Sequence, residues 1–190
     1  MSLQENQYLC VSSDSVLVVV DIQPRLTAVM PSKVLARLQR NSTMLLRAAG
    51  QLKIPVFATE QYPKGLGKIE DAILKMMPEN SQCFEKTRFS CTGAEGFSEA
   101  LRETGRKQVI LLGMEAHVCV YQSAIDLLME GYSVFVVIDG VCSRQRENYE
   151  TSLLRLRQAG ITTCDTESVL FEWLRDSRHD DFKSISDLLK

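Results

Sequence analysis

The sequence predicts an α/β protein in which a parallel sheet is covered by helices on both faces, a three-layer αβα sandwich. Two observations support this fold class. Several runs are almost continuously apolar and β-branched, as in strands that are buried on both faces, and SVLVVVDI at residues 15–22 is the clearest. Between these runs lie segments whose apolar residues recur at helical spacing, most of them closed by a glycine. Strands and helices that alternate in this way form right-handed βαβ units.

The individual elements follow in order along the chain. The first half contains a strand at 15–22, a helix whose apolar positions start at Val34 and which Gly50 would cap, a strand at 54–60, a loop rich in Pro and Gly at 62–67, a short helix around 69–77, and an extended segment at 83–90. The second half contains a short helix within 93–105, a strand at 108–113, a helix at 119–130 ended by Gly131, a strand at 132–139, a helix around Tyr149 to Leu156 stopped by Gly160, a strand at 161–164, and a helix that carries Val169, Leu170, Trp173 and Leu174. No repeat and no linker interrupts the series, so residues 1–190 are predicted to form one domain.

Composition and charge narrow the function classes. The net charge of −2 leaves no basic surface for nucleic acid or for an anionic membrane, and the apolar runs are shorter than the ~20 residues of a membrane span. The first residues, MSLQENQYLCVSSDS, do not resemble a secretory signal, which favours a cytoplasmic protein with six reduced cysteines. No C-x-x-C pair occurs and only His117 and His179 are histidines, so no zinc-finger spacing exists.

Reactive side chains stand where ligands bind in such sheets, outside the carboxyl ends of the strands. Asp21 and Asp139 each close a strand, Lys86 lies in the extended segment, and Cys119 follows the strand QVILLG. A helix N-terminus or a nearby lysine lowers the pKa of a thiol, and the free N–H groups of the first helical turn can hold an oxyanion. A carboxylate such as that of Asp21 can take the thiol proton and return it to a leaving amine.

Each of these residues also has a structural interpretation. Asp21 taken alone is better explained as bracing a loop, Lys86 as a solvated charge, and Cys119 as a small buried hydrophobe. Their joint placement at strand ends favours chemistry, but spacing alone does not decide between the two interpretations.

Three motifs show a resemblance to a known family. VVVDIQPRL around Asp21, FEKTRFS around Lys86, and GMEAHVCVYQSAIDLLMEGYSVFVVIDGVCSR resemble the isochorismatase-like cysteine hydrolase superfamily over essentially the whole chain. TEQYPKGLG (59–67) resembles its isochorismatase-domain-containing subgroup. The resemblance implies a Rossmann-like sandwich around a mostly parallel six-stranded sheet, with Asp21 as acid and base, Lys86 as the lysine, and Cys119 as the nucleophile of a catalytic triad. It also implies a cis peptide at Met114–Glu115, an oxyanion site made by the backbone N–H groups of Glu115 and Cys119, and a homo-oligomer, either a dimer or a larger assembly.

The chain also departs from relatives within this superfamily. Nicotinamidases bind a metal through an aspartate and histidines after the second strand, whereas TEQYPKGLG contains no histidine, so we expect neither a metal nor another cofactor. No G-x-G-x-x-G follows the first strand, which argues against a nucleotide-binding protein. The candidate pocket residues are Gln23, Gln61, Tyr62 and His117. An ordinary turn explains Gln61 and Tyr62 equally well, and a structural role explains His117 at least as well.

The sequence thus predicts a metal-independent hydrolase that cleaves the C–N bond of a small amide through a thioester on Cys119. One alternative is hydrolysis of a vinyl ether such as isochorismate, which needs an acid more than a thiol. Another is a scaffold without catalytic activity that acts by binding proteins. The substrate itself cannot be read from the motifs, because the pocket loops determine it.

Overall fold

A computed structural model describes residues 8–189 and contains six strands and nine α-helices within that range. The strands are β1 (Ser15–Val20), β2 (Val56–Gln61), β3 (Gln82–Lys86), β4 (Gln108–Met114), β5 (Ser133–Cys142) and β6 (Thr162–Cys164). The helices are α1 (Pro24–Thr27), α2 (Ser32–Gln51), α3 (Pro63–Leu66), α4 (Asp71–Leu74), α5 (Phe97–Glu103), α6 (Tyr121–Met129), α7 (Arg146–Gln158), α8 (Thr166–Leu174) and α9 (Phe182–Ser186). Short 3₁₀ turns at Cys91–Gly93 and Asp187–Leu189 and a π-helical turn at Ala116–Val120 complete the set.

The strands form one sheet in the order β3-β2-β1-β4-β5-β6, and every neighbouring pair is parallel. This sheet confirms the predicted α/β sandwich with six strands. The chain builds outward from β1 in both directions, because β2 and β3 lie on one side of it and β4 to β6 lie on the other. The crevice at the carboxyl ends of β1 and β4 is therefore the point where the winding reverses, which is the usual ligand position in open α/β sheets.

Apolar side chains fill both faces of the sheet, which explains the continuous hydrophobic runs. In β1, Leu17 and Val19 face a core shared with α2 and α8, whereas Val16, Val18 and Val20 face a core shared with α5, α6 and α7. All six residues of β1 are buried. A strand with two covered faces has no room for polar alternation, so it appears in the sequence as an unbroken apolar run.

Gly113 in β4 allows the two central strands to approach closely at the site edge. Its φ is +120°, and a Cβ built there would lie 2.0 Å from the carbonyl oxygen of Val20. Only glycine fits such a contact at a positive φ. The turns after β1 and β4 are consequently held next to each other.

Several element boundaries differ from the sequence prediction. The helix expected at 119–130 begins earlier, because a π-helical turn at Ala116–Val120 precedes α6. Gly50 does not cap α2, which continues to Gln51. The sequence also predicts that Cys83, Cys91, Cys142 and Cys164 are small buried hydrophobes. This is confirmed for Cys91 and Cys142, whereas Cys83 on the edge strand β3 is exposed and Cys164 on β6 is only half-buried. No helix between residues 8 and 189 is long and apolar enough to cross a membrane.

Candidate active site

A buried ion pair joins two of the predicted site residues. Asp21 directly follows β1, and Lys86 is the last residue of β3, two strands away. The Lys86 Nζ lies 2.6 Å from Oδ2 of Asp21, and both side chains are fully buried. Buried charges are tolerated in proteins when they are paired, and this distance is typical of a strong charge-assisted hydrogen bond. The structure thus brings together two residues that are 65 positions apart in the sequence.

The Lys86 ammonium is held by three acceptors. Besides Asp21, it donates to Oε1 of Gln61 at 2.8 Å and to the carbonyl oxygen of Phe89 at 2.9 Å. An ammonium has three donors, so its hydrogen-bonding capacity is met. Lys86 is therefore fixed as a positive charge beside Asp21.

Thr59 binds the other oxygen of the Asp21 carboxylate. Its hydroxyl donates to Oδ1 at 2.7 Å, and its carbonyl oxygen accepts from the Asp21 backbone N–H at 3.2 Å. Thr59 sits opposite Val20 in the β1–β2 register, which places its side chain beside the carboxylate. Asp21 itself has φ +50°, a left-handed conformation that Asp adopts more readily than most residues.

Burial is the dominant influence on the acidity of Asp21. It raises the pKa of the carboxyl above its ordinary value, while Lys86, Thr59 and a hydrogen bond with Cys119 act in the opposite direction. A carboxyl whose pKa lies above that of an exposed aspartate is a better proton acceptor and donor near neutral pH.

Cys119 lies in the π-helical turn and completes the cluster. Its thiol lies close enough to Asp21 and Lys86 for both charges to act on it, and the residue is only 5 % exposed. The structure therefore places all three predicted triad residues in one buried cluster. π-helical turns of this kind occur frequently at functional sites.

The expected lowering of the Cys119 pKa is wrong. Burial, followed by the negative charge of Asp21, raises the pKa of the thiol to about 12, and the charge of Lys86 only partly offsets this. Cys119 is also not the first residue of a helix, because the helical turn starts at Ala116. At rest the sulfur is consequently a neutral thiol, and a base is needed to make it a nucleophile.

The turn before Cys119 contains a cis peptide bond at Met114–Glu115. The carbonyl of Glu115 accepts hydrogen bonds from the N–H groups of Val118 and Val120, which defines the wide π turn. The Glu115 carboxylate points away from the triad and binds Arg144, with Oε1 lying 2.8 Å from Nε of the guanidinium. The oxyanion role of the Glu115 and Cys119 N–H groups stays a prediction.

The four candidate pocket residues have different positions. Gln61 touches the triad through Lys86, and its own amide donates to the carbonyl of Thr87. Gln23 is fully buried, and its side chain is bonded to the backbone of Gln61 and Gly67, so it positions the loop after β2. Tyr62 is largely exposed beside this loop. His117 is part-buried, and its Nδ1 lies 2.9 Å from the Ser143 hydroxyl.

Sequence reasoning missed two groups that bind the triad directly. Thr59 and the carbonyl of Phe89 each bind a charged atom of the pair. Both lie in motifs that carry the resemblance, TEQYPKGLG and FEKTRFS, but neither was assigned a role. Thr59 is the first polar residue of β2, at the point where the apolar half of the strand ends, and this was the signal available in the sequence. Asp139 is not at the site, because its carboxylate accepts hydrogen bonds from the N–H and the hydroxyl of Thr166 at the start of α8.

Within residues 8–189 there is no group of three His, Cys, Asp or Glu side chains that could hold a metal ion.

Known proteins resemble this chain in sequence and in structure. The Isochorismatase domain model matches residues 15–168. Isochorismatase family protein 1B of Dictyostelium discoideum is 40% identical over 152 residues, which is 78% of this chain and 74% of the relative. The structure of MAR1 ribonuclease from Caenorhabditis elegans has a TM-score of 0.89 and 34% identity, covering 95% of this chain and 92% of that one. YcaC from Pseudomonas aeruginosa, described with hexane-2,5-diol and covalent acrylamide, has a TM-score of 0.87 and 25% identity, covering 95% of this chain and 90% of that one.

Proposed function

The chain belongs to the isochorismatase family, and on that premise we propose that it is a hydrolase which cleaves a small amide through a thioester on Cys119. The observation that carries the proposal is the contact of one buried thiol with a buried Asp21–Lys86 pair. A base, a fixed cation and a sulfur nucleophile are the parts that covalent acyl transfer needs.

In the proposed reaction, Asp21 accepts the Cys119 proton as the sulfur attacks the amide carbon. The carbonyl oxygen becomes an oxyanion, which the N–H groups of Glu115 and Cys119 stabilise. The C–N bond then breaks, the nitrogen takes the proton from Asp21, and the amine leaves a thioester behind. Asp21 next removes a proton from water, the hydroxide attacks the thioester, and the carboxylic acid leaves as the thiol is restored. The sum is amide plus water giving acid plus amine, with Lys86 positively charged throughout.

The raised pKa values support the role given to Asp21. Burial and the charge of Asp21 raise the pKa of Cys119, which favours the protonated thiol as the resting state. Burial raises the pKa of Asp21, which makes its carboxylate a stronger base than an exposed one. Proton transfer during the attack is therefore better supported than a standing thiolate–lysine pair.

The proposal is tested with a panel of small amides and esters and with the variants Cys119→Ala and Asp21→Asn. We expect turnover to fall by about 100-fold or more in both. Cys83→Ala, which removes an exposed thiol on β3, is the matched control and should keep wild-type turnover. Intact-mass measurement during turnover should show an acyl adduct that peptide mapping places on Cys119. Unchanged turnover in either site variant would refute the mechanism.

Acrylamide and RNA are informative additions to the panel. YcaC is described with covalent acrylamide, and acrylamide adds to thiols at its C=C bond, so it is a suitable probe of whether Cys119 is nucleophilic. A solved relative is named a ribonuclease, so an end-labelled RNA is included as well. RNA cleavage that disappears in Cys119→Ala would contradict the small-amide assignment.

Vinyl ether hydrolysis remains the second candidate, and the raised pKa of Asp21 favours it, because that reaction needs a proton donor. It requires no thiol. Activity on isochorismate that survives Cys119→Ala but is lost in Asp21→Asn would identify it. A scaffold that only binds proteins would show no adduct and no turnover at all. The homo-oligomer and the cytoplasmic location stay predictions from the sequence.

A further inference from the structure

A second cavity, of about 350 Å³, lies beside the catalytic turn. Its walls come from the start of α2 and from the segment that joins β5 to α7, so it is separate from the Asp21–Lys86–Cys119 cluster. Pro31, Val34 and Tyr149 supply apolar and aromatic surface, and Arg37, Arg144 and Arg146 supply cations. Cys142, Ser143 and Glu150 complete the lining, and the volume is in the range of small-molecule sites.

The three arginines differ in how their charge is balanced. Arg144 pairs with Glu115 at 2.8 Å, and Arg146 pairs with Glu150 at 2.7 Å. Arg37 forms no ion pair with any residue between 8 and 189. One unbalanced guanidinium therefore lines a cavity in which the other two are already neutralised.

Arg37 is also incompletely hydrogen-bonded. Its terminal nitrogen donates to the carbonyl of Val141 at 3.3 Å, and its guanidinium lies 5.9 Å from the centre of the Tyr149 ring, near the Tyr149 hydroxyl. Its Nε is buried and has no partner. The Nε itself is enclosed, but the partly buried guanidinium lines the cavity with one long hydrogen bond and no ion pair among the described residues, so its charge is free to bind an anion there.

We infer that this cavity binds a small organic monocarboxylate, with Arg37 as the group that recognises the carboxylate. The planar guanidinium offers paired donors that match a carboxylate, and the Val34, Pro31 and Tyr149 surfaces accept a compact apolar body such as an aromatic or branched ring. A phosphate dianion fits less well, because it requires a second unpaired cation that the described residues do not supply. The inference does not depend on the reaction at Cys119.

The site adjoins the catalytic turn through two side chains that line it. Arg144 holds the Glu115 carboxylate, and the Ser143 hydroxyl contacts the His117 ring at 2.9 Å. Glu115 and His117 belong to the segment that leads to Cys119. The cavity is therefore connected to the segment that precedes Cys119 through Ser143 and Arg144, which line it together with Arg37.

Calorimetric titration of the wild-type protein tests the inference directly. Benzoate and cyclohexanecarboxylate should bind, whereas benzamide, which has nearly the same shape without the charge, should bind at least about tenfold more weakly. Inorganic phosphate should also bind more weakly than benzoate. Equal affinity for benzoate and benzamide, no binding of any carboxylate, or tighter binding of phosphate would each overturn the assignment.

Variants then locate the site. Arg37→Gln should weaken benzoate binding by about tenfold or more, and Arg37→Lys, which keeps the charge but loses the planar fork, should weaken it less. Arg40→Gln, on the same helix but exposed and outside the cavity, is the matched control and should stay within twofold of wild type. Loss in Arg40→Gln, or wild-type affinity in both Arg37 variants, would contradict the site.

Repeating the benzoate titration with Cys119→Ala separates carboxylate binding in this cavity from the proposed hydrolase activity. Benzoate should bind this variant as it binds the wild type, because the thiol does not line the cavity. Loss of benzoate binding in Cys119→Ala would move the carboxylate to the triad cleft and overturn the inference.

Discussion

Replacing Thr59 with valine isolates one hydrogen bond to the Asp21 carboxylate. The substitution nearly preserves shape and removes a hydroxyl that donates to Oδ1 at 2.7 Å inside a fully buried site. Hydrogen bonds to charged groups contribute about 1.5–3 kcal/mol, and one pKa unit corresponds to about 1.4 kcal/mol. The bond stabilises the ionised carboxylate, so its loss should raise the pKa of Asp21 by about 1–2 units.

A rise in this pKa has a defined consequence for reactivity. If the ionised Asp21 is the base that takes the Cys119 proton, the acidic limb of the pH–rate profile should move to higher pH by about 1–2 units. The rate on the plateau should remain within about threefold of wild type, since a base of higher pKa accepts the proton at least as readily.

The assay follows alkylation of Cys119 by acrylamide or iodoacetamide between pH 4 and 9, so no identified substrate is needed. A Cys83→Ala background removes the exposed thiol, and peptide mass mapping reports on Cys119 alone. Thr163→Val, on the edge strand β6, is the matched control and should leave the profile unchanged. An acidic limb that does not move in folded Thr59→Val protein would refute Asp21 as the base for this thiol.

Substitutions at Lys86 and Gly113 test the geometry of the buried cluster and of the strands that hold it. Lys86→Met should abolish turnover and lower the free energy of unfolding at pH 7.5 by about 3–5 kcal/mol, because the Asp21 carboxylate is left buried without its countercharge. This loss should shrink as the pH falls and Asp21 becomes protonated, and urea melts at pH 4.5 and 7.5 measure it. Gly113→Ala should cost at least about 2–3 kcal/mol, since its Cβ would lie 2.0 Å from the Val20 carbonyl, whereas Gly131→Ala, where nothing lies within 4 Å, should cost only about 1 kcal/mol in the same melts. Equal losses in the two glycine variants would contradict the close approach of β1 and β4.

The fold and the place of Asp21 at the end of β1 could be predicted because both follow from local patterns. Apolar runs identify the buried strands, and the carboxyl ends of parallel strands share one edge of the sheet. The ends of β1 and β4 must therefore be neighbours. Cys119 lies beyond Met114, the last residue of β4, in a π-helical turn, so its place beside Asp21 was implied by the resemblance of its motif.

The remaining features depend on contacts that local patterns do not contain. The partners of Lys86 are set by how its side chain crosses the end of β2, and the Arg37 cavity forms only when α2 packs against the β5–α7 connection. The sign of the Cys119 pKa shift was predicted wrongly for the same reason. A helix terminus and a lysine are visible in the sequence and both lower a thiol pKa, but the depth of burial, which outweighs them, is a property of the whole fold.

Lys86 explains how a thiol of such high pKa can still serve as a nucleophile. With Lys86 charged, the cluster of Asp21, Lys86 and Cys119 is neutral overall when the carboxylate is ionised and the thiol protonated. Transfer of the proton from sulfur to Asp21 moves the negative charge but leaves the sum at zero, so no net charge is created in the buried cleft. Without Lys86 a net negative charge would be buried in both states, and desolvation would favour a proton on each group. The two variants should therefore differ in their pH–rate profiles for Cys119. Lys86→Met should depress the rate at every pH, whereas Thr59→Val should shift only the acidic limb.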